Sequence, residues 1–565
     1  MRAELWCATV GTVLFVGCSE PTGPAPKVAV ISVLPDTASI EVRDTIQLSA
    51  EFMDSSGHAI SGVEAQWSSS DTTLAVVSTT GAVVGMKPGL AWIRAAAGGR
   101  RDSARVSVLV PVASLTVLPA ALAMVTGSTV LLTPVPHDSE GNYLWGRTTW
   151  TSGDTSKATV VGGASCDAGS GACGLVTGRA AGVVSITAVA GHKRASAQVT
   201  VAVVSFTALT TAQDHTCGLT SAGALWCWGL NTVGELAVPN VRFPRTTPGL
   251  VRGGFTFAEV SAGGEGGGGF TCGVTTAALA YCWGENNDYG ELGSAAPTPD
   301  TLPTPVAGTL HFTYVSSGAA HVCGLAIGNV PYCWGDNGAN ELGENASGGP
   351  ASATPVPVSG GFRFTVLTAG FTYTCGLTSI GAAYCWGGND RGQLGDDTAI
   401  TNGPRPVQGG LTFSSISAGG NHTCGLTSAG AAYCWGSGEL GELGTGDTLD
   451  SHIPVPVGGG LTFRAIAAGD YNTCGITTSG AAYCWGWNAY GQLGIGLPAG
   501  ANDPHPTPVP VSGSLQFAVI ETNATETCGI TTSGFAYCWG ANTYGQVGDG
   551  TYNTETTPVL VIGQR

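Results

Sequence analysis

The feature that most constrains the fold is a pair of cysteines that recurs at one fixed spacing. From residue 204 onward the chain repeats with a period of about 50 residues, and each repeat carries two cysteines ten positions apart. A period in this range is typical of propellers, solenoids and repeat arrays. The pairs are Cys217 and Cys227, Cys272 and Cys282, Cys323 and Cys333, Cys375 and Cys385, Cys424 and Cys434, Cys474 and Cys484, and Cys528 and Cys538.

Each repeat also contains four strand-like pieces. They read F-x-x-I-x-A-G, TCGLT, AAYCWG and a Pro-rich segment such as IPVPV at 453–457. The segment N-x-x-G-Q-L-G lies between the third and the fourth piece. Four strands in each of seven repeats predict a seven-bladed β-propeller over 204–563, because radial closure leaves few open sheet edges. A β-solenoid is the alternative, but its repeats are shorter.

Composition supports an all-β protein. Only 10% of the 565 residues are charged and 88 are Gly, which suits many turns between short strands because Gly accepts a positive φ. No long segment shows an apolar pattern of helical period. The formal net charge is −17 and Lys and Arg never cluster, which argues against nucleic-acid binding.

The cysteine spacing predicts a hairpin with a three-residue turn. If Thr478–Gly480 form the turn, Thr477 faces Ala481 and Cys474 faces Cys484. Such turns end in a left-handed residue, usually Gly. That position holds Gly223, Gly381, Gly430, Gly480 and Gly534 in five repeats, Asn329 in a sixth, and Ala278, which is a misfit, in the remaining one.

Opposed strand residues lie within the distance range that a disulfide accepts, so we expect a cross-strand disulfide in each of the seven pairs. The alternative is reduced cysteines packed as small hydrophobic groups. A zinc site would need four ligands, and His215, His321 and His422 occur in only some copies. The seven Trp of YCWG are expected to form a repeating core; they are Trp228, Trp283, Trp334, Trp386, Trp435, Trp485 and Trp539.

The repeat resembles a known family. The string G-x-x-H-T-C-G-L-T-x-x-G-x-x-Y-C-W-G-x-N-x-x-G-Q-L-G is similar to the RCC1-like repeat (regulator of chromosome condensation) in all seven copies. The resemblance implies a seven-bladed propeller but does not determine function. Ala237, Trp226 and the irregular GANELG at 338–343 depart from the pattern.

Residues 27–110 and 111–203 are two copies of one unit. WSSSD at 67–71 matches WTSGD at 150–154, and GAVVGMKPGLAWIRA at 81–95 matches GLVTGRAAGVVSITA at 174–188. The short alternating strands predict β-sandwiches, and the pattern resembles the bacterial Ig-like group 2 domain, which implies a spacer or adhesive module. The second copy has an extra Gly-rich loop in which we expect a Cys166–Cys173 disulfide.

The N-terminus predicts export. Arg2 precedes an apolar run at 5–16, which is too short to span a bilayer but suits a signal peptide over 1–17. LFVGC at 14–18 resembles a bacterial lipobox, which implies a lipidated Cys18 and a linker over 19–26, although Phe15 departs from the usual Leu. The localisation expected is the outer membrane or cell surface; an ordinary secretory signal is the alternative.

Taken together, the sequence predicts a non-catalytic exported or surface-anchored protein. Its Ig-like spacers present a propeller for recognition of an extracellular protein or glycan, with no cofactor, no metal and membrane contact only through the anchor. The alternatives are an inhibitor of a β-lactamase or other extracellular enzyme, a guanine-nucleotide exchange factor and a propeller enzyme. Export and acidity argue against the exchange factor.

The best surface candidates in the sequence are loops that break the repeat, GGEGGGGF at 263–270 and IGLPAGANDPHPT at 495–507. Asp-containing segments at 395–398, 444–448 and 548–551 recur at one position of the blade, and we interpret them as turns.

Overall fold

The computed structural model describes residues 27–144, 146–164, 173–238, 244–264, 268–285, 289–294, 300–344, 349–397, 401–498, 500 and 504–564. Over these ranges the chain forms β-strands and no helix. In this part of the chain, therefore, no helix has the length and apolar character needed to cross a membrane. The chain divides into two compact units. The first runs up to Thr116 and adds Val135–Thr148 and Val189–Arg194, and the second holds the rest.

The first N-terminal module is a β-sandwich. Its sheets have the strand orders β2-β9-β8-β5, β3-β7-β6 and β1-β4, and they enclose a core that includes Val33, Val83 and Ile93. The strands are β1 (Val30–Leu34), β2 (Thr37–Glu41), β3 (Thr45–Gln47), β4 (Ser49–Met53), β5 (Gln66–Ser69), β6 (Ala75–Val77), β7 (Ala82–Gly85), β8 (Gly89–Ala97) and β9 (Arg100–Leu109).

The second module repeats this arrangement in the sheets β10-β12-β15-β14 and β11-β17-β16-β13. Its edge strand β11 pairs parallel with β17, as β2 pairs with β9 in the first module, which confirms that the two are copies of one sandwich. The strands are β10 (Ser114–Leu118), β11 (Ala121–Val125), β12 (Thr129–His137), β13 (Thr149–Ser152), β14 (Ala158–Ala164), β15 (Cys173–Gly178), β16 (Gly182–Ala190) and β17 (Lys193–Ala202).

The repeats fold into four-stranded antiparallel sheets, or blades, and each blade is built from consecutive strands of one repeat. We call the strands A to D from the innermost to the outermost. The first three blades are β18 (Phe206–Thr211), β19 (His215–Thr220), β20 (Leu225–Gly229) and β21 (Arg245–Leu250); β22 (Phe257–Gly263), β23 (Phe270–Thr275), β24 (Ala280–Gly284) and β25 (Asp300–Pro305); and β26 (Phe312–Ser317), β27 (His321–Ala326), β28 (Val330–Gly335) and β29 (Ser352–Pro357).

Four further blades follow in the described residues. They are β30 (Val366–Ala369), β31 (Tyr373–Leu377), β32 (Ala383–Gly387) and β33 (Thr401–Pro406); β34 (Ser415–Ala418), β35 (His422–Leu426), β36 (Ala432–Gly436) and β37 (Ser451–Pro456); β38 (Phe463–Ala468), β39 (Asn472–Thr477), β40 (Ala482–Gly486) and β41 (His505–Pro510); and β42 (Phe517–Thr522), β43 (Glu526–Thr531), β44 (Ala536–Gly540) and β45 (Glu555–Leu560).

The B–C hairpin has the register that the spacing predicts. Cys474 faces Cys484, and the turn closes through Gly480, whose φ is +93°. The misfit Ala278 adopts the same left-handed conformation at φ +62°, as does Asn329 at +63°. The turn geometry therefore stays the same even where the preferred residue is absent.

The cysteines of each of these hairpins are joined in the structure. The Sγ–Sγ distances are 2.07–2.14 Å and each pair of Cα atoms is 4.1 Å apart. Cys18, Cys166 and the signal peptide lie outside the described residues. Cys173 is buried at the start of β15. The module limits 27–110, 111–203 and 204–563 stay predictions.

The core lies between blades. Each disulfide packs against a Phe at the start of strand A or just before it and against the Trp of strand C in the next blade; Cys424 and Cys434, for example, lie in one cluster with Phe463 and Trp485. The last blade repeats this contact with the first, because Cys528 and Cys538 share a cluster with Phe206 and Trp228. The ring therefore closes by face-to-face packing rather than by exchange of a strand.

A hydrogen bond accompanies each of these contacts. The indole Nε1 of every YCWG Trp is fully buried and donates to the backbone oxygen of the Glu or Gln in the [GN]-[EQ]-[LV] segment of the preceding blade, at 2.7–2.9 Å. The closing bond runs from Trp228 to Gln546. The Trp residues are thus core residues, as expected, and they also join neighbouring blades.

Candidate binding face

The strand order gives the ring two unlike ends. The A–B connections, such as 469–471, and the long C–D connections, such as 487–504, meet at one end, which we call the loop face. The B–C turns, such as 478–481, and the D–A connections, such as 251–256, meet at the other end, the turn face. Loops held by a rigid scaffold are the usual place for binding residues.

Within the second unit, the second Ig-like module packs near the turn face. Strand β11 lies beside the outer strand β21, and Val125 joins the cluster that contains Phe206 and Val561. An apolar groove beside this contact is lined by Leu122, Ala224 and residues 250–255, which belong to the turn-face side of the first blade.

Under the loop face lies a ring of buried side chains, one from each blade. Each belongs to the residue just before the Thr-Cys-Gly or Val-Cys-Gly of strand B. Nε2 of His215 lies 2.9 Å from the hydroxyl oxygen of Thr271 in the next blade, and that hydroxyl donates to the backbone oxygen of Glu235. The Thr hydroxyl is therefore the acceptor for Nε2–H, which leaves the histidine neutral with a bare Nδ1. His321 and His422 make the equivalent contacts with Thr374 and Thr473.

The three histidines do not come together as a metal site; each joins its own pair of blades. Burial lowers the pKa of His215 and His321 to about 4 and that of His422 to about 3. Among the described residues the one grouping of three possible ligands is Glu41, Asp44 and His192 in the first unit, where His192 Nε2 lies 2.8 Å from Asp44 Oδ1.

A ladder of hydroxyl groups follows the innermost strands. The side chain opposite the first cysteine of the hairpin accepts a hydrogen bond from a backbone N–H of the next blade at 2.9–3.0 Å, as Ser417 does from Ala468. The residues that accept are Thr210, Ser261, Ser316, Thr368 and Ser417. The last two blades depart from this pattern with Ala467 and Glu521.

Glu521 is one of three ionisable side chains that converge from different inner strands. Burial raises the pKa of Glu521 to about 8, and the charge of Glu259 on β22 adds to this effect. Burial also raises the pKa of Glu259 to about 7. The pKa of Tyr314 on β26 is raised by burial and then by both carboxylates. Strands from three blades meet in this way only across the central channel.

The channel opens on the loop face as a small mouth. Its cavity of about 110 Å³ is lined by the A–B connections of every blade and by the strand ends beside them, and most of these residues are Gly, Ala, Ser or Thr. The larger lining residues are Gln213, Phe371, Asp470 and Asn523.

Beside the mouth, the sixth blade carries an aromatic cluster. The rings of Tyr471 and Trp487 are 5.6 Å apart and those of Trp487 and Tyr490 are 5.4 Å apart, both edge to face. Tyr490 is 43% exposed. The positions equivalent to Trp487 hold Leu230, Glu285, Asp336, Gly388, Ser437 and Ala541. An aromatic residue at this position is therefore peculiar to the sixth blade.

The loop face is strongly acidic. Residues 204–563 contain 24 Asp and Glu against 7 Arg and no Lys, so the whole formal net charge of −17 lies in the propeller. Of the Asp and Glu that the structure describes, 16 lie in the A–B and C–D connections and none in the segments of the turn face. Arg391 is on the loop face, but its guanidinium is paired with Glu439 and Asp450.

The loop segments that the sequence singles out as surface candidates lie in different surroundings on this face. In 263–270, where 265–267 lie outside the described residues, Gly264 lines the mouth. In 495–507, where 499 and 501–503 lie outside them, Gly496 donates its N–H to Thr556 on the outer strand β45. Asp447 and Asp549 accept bonds from their own loops, as turn residues do, whereas Asp396 is buried and pairs with Arg405.

Sequence reasoning missed Glu259, Glu521 and the aromatic cluster. The signal was present in the repeats, because aligning strand A places Glu521 where five blades have Ser or Thr. The consensus of the repeats describes the residues that all blades share, whereas Glu259, Glu521 and Trp487 are residues that differ from it.

Comparisons with known proteins agree with this architecture. The description "Regulator of chromosome condensation (RCC1) repeat" matches residues 279–325, 381–426, 429–476, 479–522 and 533–565, and a second description of the same repeat matches 213–235, 364–393, 413–442 and 463–492. "Bacterial Ig-like domain (group 2)" matches 27–108 and 111–201.

Curated relatives share the repeat over a third of the chain. The human E3 ubiquitin-protein ligase HERC2 is 28% identical over 187 residues, which are 32% of this chain and 4% of that protein. The Arabidopsis thaliana mitochondrial RCC1 domain-containing protein RUG3 is 26% identical over 205 residues, or 33% of this chain and 43% of that protein. The chain thus spans less than half the length of these relatives.

Solved structures show the same fold. Prp20p from Saccharomyces cerevisiae aligns with a TM-score of 0.54 at 22% identity, covering 61% of this chain and 87% of that one. Human WBSCR16 aligns with a TM-score of 0.53 at 20% identity, covering 60% and 93%. At these identities the likeness concerns the fold alone.

Proposed function

Because this chain carries RCC1 repeats behind two bacterial Ig-like domains of group 2, we propose that it is a non-catalytic, exported or surface-anchored binding protein. The propeller presents its loop face to an extracellular protein or glycan, and the Ig-like modules act as spacers. The observation that carries the proposal is the aromatic cluster of Tyr471, Trp487 and Tyr490 on that face.

The cluster has the properties of a binding hot spot. Aromatic side chains supply a large contact area at a low entropic cost, and they are enriched among the residues that dominate interface energies. The YCWG Trp residues are buried in the core, and single Tyr side chains such as Tyr289 are exposed elsewhere in the propeller, whereas in the sixth blade three aromatic rings lie side by side. An aromatic group that the blade does not need for packing is consistent with a role in recognition.

The cysteines support the exported part of the proposal. Disulfides form and persist in oxidising compartments, and a propeller with a disulfide in each described B–C hairpin fits such a location. Cell fractionation of the native protein, with detection in the culture medium or on the cell surface, tests this part. Recovery in the cytoplasm with free thiols would contradict it.

The binding part is tested by affinity capture with the full mature protein. Trp487→Ala combined with Tyr490→Ala removes the cluster, and Ile380→Ala on the turn face, where the side chain is 79% exposed, is the control. We expect the wild type and the control to retain one partner from culture medium or cell-wall extract and the double variant to lose at least 10-fold in affinity for it. Retention that is equal for all three proteins would contradict the proposal.

A further inference from the structure

The mouth of the channel is small and is lined mainly by small residues. Its cavity of about 110 Å³ is well below the roughly 300–1,000 Å³ of typical small-molecule pockets, so it suits a single inserted side chain. The Gly, Ala, Ser and Thr residues that line it leave the entrance free of bulky groups.

Charge selects the sign of the occupant. Asp470 lies on the rim, and Glu521 lies one residue before the mouth-lining Thr522 and Asn523, with Glu259 deeper in the channel. Burial raises the pKa of Glu521 to about 8 and that of Glu259 to about 7, and a positive charge that enters beside them lowers both pKa values and favours the carboxylates. The nearest aromatic ring of the lining, Phe371, can contact a cation through its face. The propeller has no Lys, and among the described residues of the loop-face connections the nearby Arg391 is already paired with Glu439 and Asp450.

Some buried polar atoms near the mouth have no hydrogen-bond partner. They are Nδ1 of His321 and His422, Oδ1 of Asn472 and Oε2 of Glu526, and each belongs to a fully buried residue. A Cβ at the mouth-lining Gly318 would lie 2.9 Å from His321 Nδ1, and one at Gly469 would lie 2.7 Å from Asn472 Oδ1. These two atoms, His321 Nδ1 and Asn472 Oδ1, thus lie close to glycines of the mouth.

An unpaired buried polar atom costs free energy, and native structures usually satisfy it with protein, water or a ligand. Nδ1 of His422 and Oδ1 of Asn472 accept hydrogen bonds, because Nε2–H of His422 donates to Thr473, whose hydroxyl donates to Glu442, and the amide nitrogen of Asn472 donates to Thr522. Burial raises the pKa of Glu526 well above its ordinary value, so its carboxyl is protonated and is not counted among the acceptors. The remaining unpartnered atoms near the mouth therefore need a donor. An ammonium group supplies three N–H donors and a positive charge.

We infer that the channel mouth takes a lysine side chain from a basic protein partner, with its ammonium group between Asp470 and Glu521. This inference rests on the proposed function and adds the chemistry of the partner. A lysine is favoured over an arginine because its head group is compact and its alkyl chain is flexible enough to enter between Gly and Ala residues, whereas a guanidinium is broad and planar.

The test uses short peptides as probes and calorimetry as the readout. Ac-Gly-Gly-Lys-Gly-Gly-NH2 is titrated into the full mature protein and compared with the same peptide carrying Arg, Glu or Nε-acetyl-lysine. We expect saturable binding of the Lys peptide that weakens as salt rises, at least 5-fold weaker binding of the Arg peptide, and no binding of the other two. Equal binding of the acetylated peptide would overturn the inference.

Variants locate the site. Asp470→Asn and Glu521→Gln should each weaken binding of the Lys peptide 5- to 10-fold, and Ala319→Leu, which fills the mouth without changing charge, should abolish it. Asp447→Asn removes an exposed acid of the same face away from the mouth and should change affinity less than 2-fold. An effect of Asp447→Asn equal to that of Asp470→Asn would show diffuse attraction and overturn the assignment.

The two proposals fail in different ways. If a captured partner depends on Trp487 but not on Asp470, Glu521 or Ala319, the binding function stands and the lysine site is wrong. If the Lys peptide binds as described while no macromolecule is retained, the lysine site stands and the proposed function is wrong. Unchanged thermal unfolding of each variant shows that lost binding does not reflect lost folding.

Discussion

At the scale of single residues, the blade hairpin depends on one left-handed position. Gly occupies it in five repeats, and Asn329 and Ala278 adopt the same conformation elsewhere. The sequence predicts this position because spacing and turn chemistry both require it. Repeat alignment marks Glu521 as a departure from Ser or Thr, but its environment could not be predicted from sequence, because Glu259 comes from a blade that lies far away in the chain.

Ala278→Gly is expected to stabilise the protein. An L-residue in the left-handed region costs about 1–2 kcal/mol, and the greater freedom of Gly in the unfolded chain removes part of the gain, which leaves about 1 kcal/mol. Differential scanning calorimetry of the propeller transition measures the change. The matched control is Gly480→Ala, which should destabilise the protein because an L-residue is strained at the φ of +93° that this position requires. Changes of the same sign in both variants would contradict this account.

At the scale of the element, the B–C hairpin is both a local unit and one wall of an interblade core. Its register follows from the cysteine spacing, so it could be predicted without a structure. Its environment could not, because Cys424 and Cys434 pack on Phe463 and Trp485 of the next blade, about 50 residues further along the chain. A pattern within one repeat predicts which face is apolar, but it does not show which neighbour covers that face.

Removal of one disulfide should destabilise the propeller by about 3 kcal/mol. The Cys424→Ala and Cys434→Ala double variant loses the closure of a loop of about 10 residues, and this entropic contribution is roughly 2–3 kcal/mol before packing against Trp485 is included. Denaturant unfolding under non-reducing conditions measures it. In the presence of a reductant that opens the remaining bridges, the difference between variant and wild type should shrink, and a difference that persists in full would contradict the disulfide assignment.

At the scale of the whole molecule, buried ionisable groups make stability depend on pH in two directions. His215, His321 and His422 are neutral in the folded protein, with pKa values of about 4, 4 and 3 against 6.5 in the unfolded chain. Their contribution to the free energy of unfolding is complete above pH 6.5 and is lost as the pH falls toward their folded-state pKa values of about 4 and 3. Glu259 and Glu521, with pKa values of about 7 and 8, have the opposite pH dependence. Their contribution to the free energy of unfolding is complete below pH 4.5 and is lost as the pH rises through 7 to 8.

The histidine effect can be isolated with His321→Gln and His422→Gln. The Gln amide can still donate to the Thr of the next blade but does not take up a proton, so the double variant should lose less stability between pH 7 and pH 4.5. Each histidine contributes on the order of 3 kcal/mol to the stability that the wild type loses in acid, from the relation between a pKa shift and free energy. Thermal unfolding at the two pH values measures it, and an unchanged pH dependence would contradict the assignment.

The closure of the ring has a consequence for how such a chain can evolve. Each blade is one uninterrupted stretch of sequence, and every junction, including the last, joins the disulfide face of one blade to the Phe–Trp face of the next. No blade is therefore obliged to stand first. A circular permutant that begins at any D–A connection keeps every junction, and duplication of a single repeat in the gene yields a unit that already fits both neighbours.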